Sequence, residues 1–110
     1  MVEARRELVE LLRKARGLLA LPGNDFAWSS WEDALAALAE LDRQLAHIKA
    51  GEMPSRLDLT VLFAPTGPMQ EVSINNGWAE EFLVVASKFD AIAERVWAEP
   101  NAATDPASAS

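Results

Sequence analysis

A chain of 110 residues, half of them hydrophobic and a quarter charged, has the size and composition of one globular domain around a single core. It contains no cysteine, which excludes disulfides, thiolate zinc sites, iron–sulfur clusters and cysteine nucleophiles. Its net charge of −7 argues against nucleic acid, whose phosphates need a basic face, and favours a basic protein partner.

The charge is unevenly spread, because residues 1–20 sum to +2 and the remainder therefore carries −9. The first seven residues, Met1 to Glu7, mix both signs and lead into a charged helical pattern, so neither a signal nor a transit peptide is read there. No apolar run approaches the roughly 20 residues that span a bilayer. A cytoplasmic protein without a membrane partner is expected.

Residues 3–20 predict an amphipathic helix, since Leu8, Leu11, Leu12, Ala15, Leu18 and Leu19 recur at helical spacing until Leu21-Pro22-Gly23 stops them. Arg5, Arg6, Arg13 and Arg16 lie beside that apolar stripe. The stripe of arginines reads either as an anion or acidic-partner site or as a solvated flank whose stems cover the core edge. The loop from Leu21 to Ser30 then sets Phe26 and Trp28 among Gly, Asn and Asp, which either pins the loop to the core or offers a binding surface.

Ser29 with Glu32, or Ser30 with Asp33, has capping-box spacing and opens a second predicted helix. Its stripe is Trp31, Leu35, Leu38, Leu41, Leu45 and Ile48, and Gly51 and Pro54 mark its end. His47 is the only histidine and has neither a second histidine nor a cysteine to work with, so it is assigned no role. Glu40, Asp42 and Glu52 give no metal-ligand spacing.

From Leu57 to Trp78 the alternation of Leu57, Leu59, Val61 and Phe63 against Asp58 and Thr60 predicts β-structure. With Pro65-Thr66-Gly67-Pro68 as the turn, Val61 would face Val72 and Leu59 would face Ile74 in an antiparallel hairpin. Leu62, Ala64 and Met69 would leave an apolar patch on the outer face, covered by another chain or by a loop. Asn75 or Asn76 would cap a last helix with Glu80 and Glu81 in its first turn and Trp78, Phe82, Val85, Phe89, Ile92 and Val96 as its stripe. Leu83, Val84, Ala86, Ala93 and Trp97 widen that stripe, which makes this helix the expected centre of packing. Residues 98–110 read as a disordered tail, leaving residues 1–97 as one globular domain. The expected class is α+β, in the order α-α-β-β-α.

The run Leu62-Phe63-Ala64-Pro65-Thr66-Gly67-Pro68-Met69-Gln70-Glu71-Val72-Ser73, with Asn76-Gly77-Trp78 and Phe82 after it and Phe26-Ala27-Trp28-Ser29-Ser30-Trp31-Glu32 before it, resembles small uncharacterised bacterial proteins grouped as a domain of unknown function. The resemblance covers most of residues 20–92. It implies a bacterial cytosolic protein and brings no activity or assigned site.

Catalytic chemistry finds little support. The serines have only His47 as a base and no nucleophile elbow, glycine-rich phosphate loops are missing, and a carboxylate pair would show itself only by geometry. No catalytic, cofactor or metal residue is assigned. The expected function is a small protein-interaction module that binds a basic partner, in the manner of acidic antitoxins and immunity proteins. Its candidate surface is Asp25, Phe26, Trp28, Leu62, Met69, Glu71, Asn76 and Trp78. The alternative is a self-associating or small-ligand-binding protein, in its simplest form a homodimer, with an enzyme of unrecognised type behind it.

Overall fold

The computed structural model describes residues 2–27 and 29–97, so Trp28 and the predicted tail lie outside the described residues. The described residues form five helices and no strand: α1 (Val2–Leu19), α2 (Ala34–Lys49), α3 (Arg56–Leu62), α4 (Pro68–Asn75) and α5 (Ala79–Val96). The fold is all-helical, and the α+β expectation with its hairpin is corrected.

The three long helices follow their apolar stripes, except that Leu35, expected on the packing face of α2, is exposed. Leu8, Leu11, Leu12, Ala15 and Leu19 of α1 are buried, as are Ala37, Leu41 and Ile48 of α2 and Phe82, Val85, Phe89, Ile92 and Val96 of α5. Helix α1 packs on both α2 and α5, and α4 packs on α5, so α1 and α5 share the centre that sequence assigned to the last helix alone. The start of α2 moves by one turn. Asp33 is its cap, with a side-chain oxygen accepting the Ala36 N–H at 2.9 Å, whereas the Ser29 hydroxyl donates to the Phe26 carbonyl at 3.1 Å and holds the preceding turn.

The predicted strands are α3 and α4, and the reason is that two turns of helix and five residues of strand share many letters. Leu59, Leu62 and Phe63 recur at steps of three and four, as do Met69, Val72 and Ser73, and all six are buried. The strand register fails on the same residues. Leu57, Val61 and Ile74, expected inward, are 70%, 51% and 61% exposed, while Leu62 and Met69, expected outward, are core. Local chemistry agrees with helix: Ser55 caps α3 by accepting the Asp58 N–H at 3.2 Å, and Pro68 opens α4 at a position where a missing N–H costs nothing. Pro65-Thr66-Gly67-Pro68 is therefore a helix–helix corner, closed by the Gly67 N–H donating to the Ala64 carbonyl at 2.9 Å.

A second corner joins α4 to α5. Asn76 ends α4, Gly77 takes φ +83°, and the Trp78 N–H returns to the Ser73 carbonyl at 3.0 Å, which is the left-handed glycine stop that satisfies the last carbonyls of a helix. This stop drives Trp78 into the core at the head of α5 and turns Asn76 toward the loop that follows α1.

Candidate functional site

The residues chosen from sequence as an interaction surface divide into two structural groups. Leu62, Met69, Phe26 and Trp78 are buried, and Asp25 and Glu71 are exposed. Asn76 is half-buried and staples the loop to the α4–α5 corner, because its amide oxygen accepts the Asp25 N–H at 2.7 Å while its amide nitrogen donates to the carbonyls of Asp25 and Val72. In the same loop, Asn24 donates to the carbonyls of Leu18 and Leu19 at the end of α1 and accepts the Trp78 indole N–H at 3.1 Å. The aromatic loop is thus pinned across the bundle by two asparagines. Its polar groups are spent on the fold, which leaves them few contacts to offer a partner.

An open surface lies where the α3–α4 corner meets α5. There a groove of about 390 Å³ runs between that corner and α5. Its floor is Phe63, Phe82 and Phe89, all nearly buried, with Phe63 and Phe89 stacked at a centroid distance of 4.6 Å and an interplanar angle of 21°. One wall is Leu83 and Ala86 of α5, and Leu83 is 60% exposed. Thr60, Gln70, Ser87 and Asp90 supply the polar groups. Asp90 has no ion-pair partner among the described residues, and the Gln70 amide oxygen is shielded from solvent without a hydrogen-bond partner. No cation lines the groove among the described residues.

Sequence reasoning missed this site because it follows from two short helices being helices. The step of four from Gln70 to Ile74 puts an exposed Ile74 on the same flank of α4 as the groove-lining Gln70. The one legible signal was the width of the apolar stripe on α5, where Leu83 and Ala86 exceed what a core-facing helix needs.

A second groove, of about 440 Å³ between α1 and α5, is lined by both signs of charge, Glu7 and Glu10 against Lys14, Lys88 and Arg95, and selects no one chemistry. Its Glu7 is paired with Arg95, and that hydrogen bond holds the carboxyl below its usual range. The arginine stripe borders a third groove between α1 and α2, where Arg16 holds Asp42 in a two-pronged pair at 2.6 and 3.1 Å. The same pair lowers the Asp42 carboxyl and raises Arg16. A carboxyl lowered in the folded state stabilises above its ordinary range and loses that contribution as pH falls through the lowered value. Melting temperature is therefore expected to drop on acidification below about 4, and Arg16→Met should make that drop shallower by a small amount, since both partners are on the surface. Thermal melts of the two proteins from neutral pH downward check this.

His47 sits beside Glu52 at 3.0 Å on the exposed side of α2, and no group of three metal-ligating side chains occurs among the described residues. Among the described residues, no helix is long and apolar enough to cross a membrane. No protein-family model, curated protein or solved structure matches the chain.

Proposed function

We propose that the chain is a small acidic binding module that holds a basic, partly apolar segment of another protein in the groove between the α3–α4 corner and α5. The observation that carries this reading is the composition of the groove. An aromatic floor, a protruding Leu83 and an Asp90 with no ion-pair partner and no groove-lining cation among the described residues suit a segment that alternates apolar and basic side chains. The net charge of −7 adds a long-range attraction for such a segment and repels acidic ones.

The test is a fluorescence-anisotropy titration with a labelled amphipathic peptide of leucine and arginine, beside a peptide of equal charge in which serine replaces leucine. The leucine peptide is expected to bind, and Leu83→Asp should weaken it about tenfold, the scale of losing one buried leucine contact. Leu35 is 76% exposed on α2 and does not line the groove, so Leu35→Asp should leave binding unchanged. Equal losses in the two variants, or none in Leu83→Asp, would remove the groove as the binding surface. If binding instead reflects charge alone, the serine peptide will match the leucine peptide and both will be lost at high salt.

A further inference from the structure

Resting on the groove reading above, we infer that the groove is a guanidinium site, in which Gln70 of α4 and Asp90 of α5, which both line it, receive an arginine side chain of the bound partner. Two groups in the groove that can only accept at the atom concerned, an amide oxygen and a carboxylate, have no protein donor among the described residues. The Gln70 amide oxygen is shielded and unpaired, whereas the Asp90 carboxylate is exposed and has no cation against it among the described residues. A shielded acceptor without a donor is a cost that the free protein bears. The terminal torsion of glutamine is broad, so the amide can turn toward a donor placed in the groove. Thr60 and Ser87 add hydroxyls that can accept further N–H groups.

The ligand that satisfies all of these has several donors, no acceptor and an apolar stem. Arginine fits better than lysine on each count. Its methylenes can lie along Leu83 and Ala86, its planar head carries five donors, and its weaker hydration makes transfer onto a floor of phenylalanines less costly than for an ammonium. The exposed Asp90 carboxylate supplies a charge partner for that head group. A partner's arginine and a free guanidinium ion present the same head group, but only the former adds neighbouring contacts on Leu83.

The experiment titrates the intact protein with three probes: the leucine–arginine peptide, the same peptide with lysine for arginine, and methylguanidine. The arginine peptide is expected to bind about fivefold or more tightly than the lysine peptide, in keeping with the stronger fit of a planar fork to carboxylate and amide acceptors. Methylguanidine should compete only weakly. Gln70→Met, which removes the unpaired oxygen and keeps the volume, should narrow the difference between the two peptides while melting temperature holds or rises. Asp90→Asn should weaken both peptides. Binding of both peptides with equal affinity by the unaltered protein would overturn the guanidinium site and leave the groove reading intact, whereas binding of neither would overturn the groove reading itself. An undiminished arginine preference in Gln70→Met would overturn the role of Gln70.

Discussion

An alanine at Gly67 is expected to destabilise the protein by about 3 kcal/mol, at the upper end of overpacking costs, and to lower its melting temperature by roughly 10–15 °C. The cause is steric and lies in the backbone. A Cβ at this position would stand 2.2 Å from the Val61 carbonyl oxygen and 3.3 Å from that of Ala64. Backbone dihedrals do not contribute, because φ −87° and ψ 177° are open to any residue. The carbonyl that blocks the methyl belongs to the last turn of α3, so relief requires the α3–α4 corner to open, and that corner carries Phe63 and Met69 into the core. Gly17 provides the contrast. It lies inside α1, and a methyl group there would meet nothing within 4 Å, so Gly17→Ala should stabilise by about 0.5–1 kcal/mol through helix propensity alone. Chemical denaturation of the two variants side by side decides the matter, and equal stabilities would mean that the corner is looser than its geometry implies.

The same corner explains where the sequence was readable. Helices α1, α2 and α5 run for 16 to 18 residues, long enough for a stripe at steps of three and four to separate from an alternating one. Helices α3 and α4 have seven and eight residues, and over that length Leu57, Leu59, Val61 and Phe63 satisfy a strand as well as Leu59, Leu62 and Phe63 satisfy a helix. The deciding signals were local ones: Ser55 before Asp58, and Gly67-Pro68 followed by Glu71, each a helix start. Choosing the wrong period exchanged inside for outside, which put Leu62 and Met69 on a surface and hid the groove. Other features were beyond reach for a different reason. Asn76 reads like a helix cap, and nothing local shows that its amide will be taken by the backbone of Asp25, 51 residues away. Gln70 and Asp90 look like ordinary polar residues until α4 and α5 are brought together.

Trp78→Ala is expected to cost about 4 kcal/mol, because a buried tryptophan at the junction of loop, α4 and α5 is replaced by a void. Trp78→Phe separates packing from polarity, keeping most of the ring volume and losing the indole N–H, and it should cost about 1 kcal/mol beyond the small change in volume. The polar share reaches α1 through Asn24. Accepting the indole N–H orients the Asn24 amide so that its nitrogen donates to the Leu18 and Leu19 carbonyls, at the end of α1 where the last carbonyls of a helix lack partners within it. Losing the indole donor therefore loosens the end of α1 as well as the head of α5. A double-mutant cycle over Trp78→Phe and Asn24→Ala should accordingly show a coupling of about 1 kcal/mol, as expected for side chains in one hydrogen-bond network. Additive effects would mean that Asn24 holds α1 without help from the indole. Because Trp78 sets the origin of α5, and Phe82 and Leu83 follow it within two turns, the alanine variant should lose peptide binding along with stability, whereas the phenylalanine variant should keep binding. Loss of binding in the phenylalanine variant, with its stability retained, would place the indole N–H itself in the recognition surface and move the site from the groove to the loop.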